Sequence, residues 1–370
     1  MSEQFRELLR KVGSGQHTSE SLSRQAASDA ARMMLTQDAT PAQIGAFMIA
    51  HRIRRPTGEE LAGMLDAYKE FGQQLSSVEA AYRPIVMNSP YDGRSRTAPV
   101  TPITALVLAT AGCPVVLHGG ERMPTKYGLP LVEIWQGLGL NWTGLSIDQV
   151  QTVFEKIYLG FVYLPDHFPL AQGLVPYRDQ LGKRPPQATL ELMWSPYREQ
   201  DALVTCGFVH PPTEQMIQTA LTLHQVRSFM TIKGLEGSCD LPRDRTCIVG
   251  LFTPSESEVA SNDSPHEPQS TMERLLLHPR DYGFEGKDVP LESDEAYFDQ
   301  LKSVLHGTPS ELMKSAIWNS GFYLWRGGVC DSFEAGLAKA ETMLTQGLVA
   351  RHLDRVKTAL NEVRSPIAAL

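Results

Sequence analysis

Two stretches of the chain gather residue types suited to holding phosphate. In Asn88-Ser-Pro-Tyr-Asp-Gly-Arg-Ser-Arg-Thr97, the pair Asp92-Gly93 favours a turn, and Arg94, Arg96 and Thr97 are placed to meet phosphate oxygens. In His118-Gly-Gly-Glu-Arg-Met-Pro-Thr-Lys-Tyr-Gly128, a glycine-rich loop carries Gly119, Gly120, Thr125, Lys126 and Gly128. A glycine-rich loop between a strand and a helix turns backbone N–H groups and a helix N-terminus toward an anion. On spacing alone the alternative stays open: an ordinary strand-to-helix turn that binds nothing.

The elements that must position these loops are legible on either side. Val115, Val116, Leu117 and His118 read as a short buried strand introduced by Gly112 and Pro114, and Leu131, Ile134, Trp135 and Leu138 follow at helical spacing. An earlier strand is predicted at Pro84-Ile-Val-Met-Asn88, and Thr101-Pro102 is expected to cap a helix running to Ala111, ended by Gly112. The connection 89–100 is longer than the about 2–6 residues usual between a strand and a helix. Strand, long polar loop, helix and strand make one βαβ unit, which sets Asp92 to Thr101 beside His118 to Gly128 at one end of a sheet.

Residues 1–75 read as helical throughout. Thr40-Pro-Ala-Gln43 and Thr57-Gly-Glu-Glu60 are capping boxes, followed by apolar faces at Ile44, Phe47, Met48 and at Leu61, Met64, Leu65, Tyr68. Arg52, Arg54 and Arg55 form a small basic patch between them. Further along, Ala202–Phe208 and Ser228–Lys233 read as strands flanking a helix over Glu214–Leu223, and Thr246–Phe252 as another strand. Residues 253–272 hold no Lys or Arg and four acids, and are expected to form a mobile acidic loop at a hairpin tip before a return strand from Glu273 to His278. Thr308-Pro-Ser-Glu311 reads as one more capping box, opening a helix with Leu312, Ala316, Ile317 and Phe322.

This alternation predicts an α/β protein: a small N-terminal all-helical domain and a larger α/β domain with a mostly parallel central sheet flanked by helices. The division expected is 1–75, joined by helices from about 165–200, against 80–164 with 201–370. With 370 residues, 42% of them hydrophobic, the chain is long enough for either one large domain or two. A net charge of −8 disfavours polynucleotides as partners unless a basic groove is local. The five cysteines are scattered, with neither zinc-ligand spacing nor a disulfide framework. A polar amino terminus and no apolar run of membrane length lead to the expectation of a cytoplasmic protein without a membrane partner.

In the order and spacing of these residues the chain resembles the anthranilate phosphoribosyltransferases, related in fold to the pyrimidine nucleoside phosphorylases. That family shows Gly-Thr-Gly-Gly-Asp, then Thr-Phe-Asn-Ile-Ser-Thr, Lys-His-Gly-Asn-Arg and Ser-Ser-Lys-Ser-Gly. Here Asp92-Gly93 is what remains of the first motif. Thr97 matches the threonine of the second, and Thr101 replaces its metal-contacting serine. His118-Gly119 matches the third, and Thr125, Lys126 and Gly128 the fourth. Among the departures, Leu117 stands for a phosphate-binding lysine, Pro99 and Gly120 for two asparagines, and His167 sits one place early in Gly160-Phe-Val-Tyr-Leu-Pro-Asp-His-Phe-Pro169. Pro176-Tyr-Arg-Asp-Gln-Leu-Gly-Lys-Arg184 follows the family's Pro-Val-Arg…Leu-Gly…Arg-Thr, which implies that Arg178 meets the anthranilate carboxylate. The alternative is an arginine pairing an acid such as Asp179 or Glu191 at a domain seam. Where the family places two magnesium-binding carboxylates, Gly234-Leu-Glu-Gly-Ser-Cys-Asp240 keeps Asp240, with Glu236 near it.

The resemblance implies transfer of phosphoribose from phosphoribosyl diphosphate to anthranilate or a related aromatic acceptor, as in tryptophan biosynthesis. Donor contacts would come from Asp92, Gly93, Arg94, Arg96, Thr97, Thr101, Thr125 and Lys126, and acceptor contacts from His118, Gly119, Gly120 and Arg178. Magnesium would be held by Thr101 and Asp240. No general acid or base is assigned, because this chemistry relies on positioning and charge neutralisation. A homodimer through the N-terminal helices is also implied. Two other readings stand beside it: a non-catalytic paralogue that binds nucleotide or nucleic acid, and a transferase or phosphorylase with a different acceptor.

Overall fold

Side-chain caps from Ser2, Ser23, Thr40 and Thr57 fix the starts of the four helices that open the chain. The structure, a computed structural model, describes residues 2–15, 17–198, 202–253 and 271–365. Four helices open it: α1 (Glu3–Gly13), α2 (Arg24–Leu35), α3 (Pro41–Arg54) and α4 (Gly58–Phe71). Both expected capping boxes are formed, Thr40 with Gln43 on α3 and Thr57 with Glu60 on α4. Glu60 is buried and also accepts from the Leu22 amide, so a cap on α4 doubles as a tie to the lead-in of α2.

The α/β body begins with β1 (Ile85–Asn88), α5 (Thr101–Thr110), β2 (Val115–Gly119), α6 (Leu131–Gly137), α7 (Ile147–Ile157) and β3 (Leu159–Tyr163). The chain then returns to the bundle through short helices α8 (Leu164–His167), α9 (Pro169–Gln172), α10 (Val175–Leu181) and α11 (Gln187–Leu190). Of these α10 packs on α3 and α11 on α4. It re-enters the sheet as β4 (Leu203–Gly207), α12 (Pro211–Leu223), β5 (Phe229–Ile232), β6 (Cys247–Thr253) and β7 (Thr271–Leu277), and closes with α13 (Asp294–Leu305), α14 (Glu311–Arg326), α15 (Phe333–Thr345) and α16 (Leu348–Arg364).

The strands form one seven-stranded sheet in the order β3-β2-β1-β4-β5-β6-β7, with β1 to β5 parallel and β6 and β7 antiparallel. Every residue of β1 to β5 is buried, as expected for parallel strands covered on both faces. The strand order reverses beside β1, and the loops after β1 and β2 leave the same carboxyl edge there, where ligands of open α/β sheets sit.

Three local expectations change. Thr101 does not cap α5. The cap position is Val100, which makes no side-chain cap bond, and the Thr101 hydroxyl donates to Asp240 instead. Helix α14 is capped by Ser310, whose hydroxyl accepts from the Met313 amide, rather than by Thr308. Gly160 to Tyr163, noted only as part of a motif, lies in strand β3, and a Cβ at Gly160 would stand 2.7 Å from Leu75 Cδ1. The acidic stretch 253–272 falls outside the described residues except at the ends of its two flanking strands.

Candidate phosphate-binding cleft and its loops

The two loops meet, and they meet backbone to backbone. The Gly128 amide donates to the Asp92 carbonyl at 3.0 Å, the Arg94 amide to Leu129 at 3.1 Å, and the Leu129 amide back to Arg94 at 2.7 Å. Gly93 has φ of +70°, and a Cβ there would lie 2.5 Å from the Leu129 carbonyl, so only glycine passes under the second loop.

Beneath this lacing the charged side chains of the first loop turn inward. Arg94 is buried and donates to Asp240 at 2.7 Å, Ser238 at 2.9 Å and Glu236 at 3.3 Å, and also to Thr97. Asp240 has both oxygens engaged: Oδ1 accepts from Thr101 at 2.7 Å, and Oδ2 from Arg94 and from the Val100 amide at 3.1 Å. Glu236 accepts from the Ser95, Arg96 and Thr97 amides at 3.2, 3.1 and 3.0 Å, and from the hydroxyls of Ser95 and Thr97. Burial alone would raise the Glu236 carboxyl, but the Arg94 guanidinium and the Thr97 and Arg96 hydrogen bonds hold it down at about 2.

The expected magnesium ligands Thr101 and Asp240 are therefore bound to each other and to a guanidinium. A divalent cation needs several free oxygens, and here a positive charge already fills that place. As arranged, these residues do not fit the ion. Arg94, expected on the donor, is internal instead, while Arg96 remains exposed.

The acceptor residues are likewise committed. Arg178 is buried, ion-paired to Asp92 and, at 2.9 Å, to Glu191; Arg184 also reaches Asp92 at 2.5 Å. The alternative of an arginine pairing Glu191 is the one observed, and Asp92 joins it. The acids and arginines balance, and Glu191, raised by burial, also accepts from the Tyr91 amide at 2.9 Å. His118 is fully buried: its Nδ1 accepts from the Tyr91 hydroxyl and its Nε2 donates to Asn88 Oδ1 at 2.7 Å. Burial pushes its pKa down to about 3, so the ring is neutral. Gly119 and Gly120 are buried against Phe161 and Leu164. His167 is structural, accepting from the Tyr163 amide and donating to the Leu145 carbonyl. Beside Arg178 and Glu191 lies a cavity of about 40 Å³ walled by Tyr68, Tyr91, Met123 and Trp194.

Outside the lacing is the larger space. A cleft of about 430 Å³ runs between the bundle and the sheet edge, lined by Arg52, Arg55, Arg96, Lys126 and Arg184, with Glu236 as its acid. Among the described residues, Arg52, Arg55 and Lys126 have no acidic partner, whereas Arg54 of the same patch is spent on Glu60. Thr125 is exposed next to Lys126. Of the expected donor residues the structure thus brings Arg96 and Lys126 to the cleft. It withdraws Asp92, Arg94 and Thr101, and turns the Thr97 hydroxyl onto Glu236. Arg52 and Arg55 come from the basic patch at the end of α3, noted in the sequence but not assigned to the donor; Arg184 was not expected there.

Comparison with known proteins agrees with this architecture. Residues 6–72 match the family model described as glycosyl transferase family, helical bundle domain, and residues 92–350 match glycosyl transferase family, a/b domain. The chain is similar to anthranilate phosphoribosyltransferase of Verminephrobacter eiseniae, 23% identical over 328 residues that cover 88% of this chain and 90% of that protein. It is also similar to that of Polynucleobacter necessarius, 24% identical over 87% of this chain and 89% of that protein. Among solved structures, the Saccharomyces cerevisiae anthranilate phosphoribosyltransferase in complex with PRPP and Mg superposes with a TM-score of 0.78 at 15% identity, covering 98% of this chain and 99% of that one. The Thermus thermophilus enzyme gives 0.75 at 19% identity, covering 97% and 100%. At such identities the structural likeness speaks for the fold. With the bundle and the sheet matched in order over most of its length, the chain belongs to this glycosyl transferase family.

Proposed function

We propose that this protein is a pentosyl transferase of the family's kind that takes a phosphorylated pentose donor in the cationic cleft and an uncharged aromatic acceptor in place of anthranilate. The observation that carries this reading is the state of Arg178. Its guanidinium is already balanced by Asp92 and Glu191, so an incoming carboxylate would have to displace a buried acid. The cavity beside it offers aromatic walls and no spare charge.

On the donor side, Lys126, Arg96, Arg52 and Arg55 supply charge to diphosphate oxygens, and the exposed Thr125 adds a hydroxyl. No step is routed through a divalent cation, because Asp240 and Thr101 are engaged elsewhere. The relatives are named for anthranilate, and the yeast structure contains PRPP and Mg. Transfer to anthranilate here would require both the Arg178 and the Arg94 ion pairs to open.

A second reading, binding of nucleotide or phosphorylated sugar without transfer, is favoured by one observation: the guanidinium of Arg94 sits on the two carboxylates nearest the expected metal. Isothermal titration with phosphoribosyl diphosphate, with and without magnesium, separates the readings when followed by product analysis with anthranilate and with uncharged aromatic amines. Donor heat and product only from the uncharged amine support the proposal. Donor heat with no product supports the second reading, and product from anthranilate overturns both. Pairing of two copies through the N-terminal helices, where Ile53 stands exposed at the end of α3, belongs to the same proposal and is checked by light scattering.

A further inference from the structure

Glu236 occupies a place shaped for something else. Three consecutive amides, of Ser95, Arg96 and Thr97, converge on its carboxylate, together with two hydroxyls and the Arg94 guanidinium. Successive backbone N–H groups turned to one point, beside a positive charge, form a concavity for an anion. An anion is present in it, but it belongs to the chain, from a loop about 140 residues away in sequence.

The residue that delivers this carboxylate is itself held in an unfavourable backbone. Glu236 has φ of +54° and ψ of +21°, the left-handed region that residues with a Cβ rarely adopt. The hydrogen bonds just named hold its carboxylate in place. Its side chain is only 4% exposed, yet it forms part of the wall of two open spaces. One is the cationic cleft and the other is a cavity of about 430 Å³ lined by Thr97, Asp244, Lys287 and Asp288. Arg96 stands at both, its Nε 3.6 Å from the same carboxylate.

We infer that Glu236 is an internal stand-in for a phosphoryl group, so that the amides of Ser95 to Thr97 form a phosphate-binding site closed by the chain's own carboxylate. Occupancy by Glu236 and by a phosphoryl dianion are mutually exclusive, and the resting protein is self-blocked at that position. A ligand phosphate entering along Arg52, Arg55 and Lys126 displaces the carboxylate and takes over its donors. No covalent bond changes. This inference rests on the cleft being the phosphate-binding face.

The test is titration of inorganic pyrophosphate into wild type, Glu236→Ala, Glu236→Gln and Asp244→Asn, with circular dichroism to establish that each is folded. Glu236→Ala is expected to bind pyrophosphate about tenfold or more tightly than wild type, since three amides and the Arg94 Nε–H become free for it. Asp244→Asn removes an equal charge from the neighbouring wall without touching the amides, and should bind pyrophosphate as wild type does at about 0.15 M salt, where that charge is screened. Hydrogen exchange of the segment 94–100 should rise in Glu236→Ala and fall again when pyrophosphate is added. An unchanged or weaker affinity in Glu236→Ala overturns the inference, as does an equal gain in Asp244→Asn. Should Glu236→Ala not fold, Glu236→Gln decides instead by the same criteria with a gain of about threefold, because it keeps the loop's acceptor and removes the charge. Failure of the cleft itself reads differently: Lys126→Ala would then match wild type toward phosphoribosyl diphosphate, whatever Glu236 does.

Discussion

Gly128 donates its amide to the carbonyl of Asp92 at 3.0 Å, and that bond fastens the loop after β2 to the loop after β1. A Cβ at Gly128 would stand 2.7 Å from the Asp92 carbonyl oxygen and 2.8 Å from that of Arg94, so neither loop can yield without moving the other. Gly128→Ala is therefore expected to destabilise the fold by about 1–3 kcal/mol in urea unfolding and to weaken donor binding together with it. A variant as stable as wild type would mean that the lacing is loose.

Arg178 should behave as a structural ion. Arg178→Met leaves Asp92 paired only with Arg184 and Glu191 with no ion-pair partner, both carboxylates being buried, and is expected to cost about 3–5 kcal/mol. Combining it with Asp92→Asn and Glu191→Gln should restore most of that loss, because the charges left behind are then removed. A loss below about 1 kcal/mol in the single variant would return Arg178 to the role of a ligand contact.

Lys126 presents the opposite case. It is exposed and lines the cleft without an acid beside it. Lys126→Ala should leave the urea midpoint where it is and weaken phosphoribosyl diphosphate binding about tenfold at low salt, with the difference shrinking as salt rises. Equal affinity in the two proteins at low ionic strength would remove Lys126 from the donor site.

Acid should act on the fold in two windows. Buried His118 is held at about 3, against an ordinary value of 6.5, so between these values the unfolded chain binds the extra proton. Stability therefore falls as pH drops from 6.5. Glu236 is held at about 2 against 4.5, and its contribution, complete above 4.5, is lost as pH falls toward 2. Urea midpoints measured against pH should show a shallower slope above 4.5 in His118→Gln and below 4.5 in Glu236→Gln. His352, held at about 4 by its own burial, leaves a residual slope in both. An unaltered slope in His118→Gln would contradict the burial assigned to that ring, and one in Glu236→Gln the Arg94 ion pair and amide hydrogen bonds assigned to that carboxylate.

Local chemistry explains what could be read ahead of the structure. The boxes Thr40–Gln43 and Thr57–Glu60 act over three residues, and both formed. The apolar runs of β1 and β2 pair in parallel, Ile85 with Val115, because a right-handed crossover leaves little alternative. That crossover also brought the loops of Asp92 and Lys126 to one edge. Thr101 and Thr308 misled for different reasons. The Thr101 hydroxyl takes Asp240, 139 residues on, as its partner, whereas helix α14 starts two residues later than a cap at Thr308 would place it, with Ser310 as the cap.

The sequence by itself determined the bundle, the parallel sheet and the meeting of two loops, since each follows from periodicity, capping and the handedness of short connections. Tertiary structure alone decided which charges face the cleft and which cancel inside. Arg94 meets Asp240 across 146 residues and Arg178 meets Asp92 across 86. Ion pairs between distant segments depend on where whole elements come to rest, and no spacing along the chain encodes that.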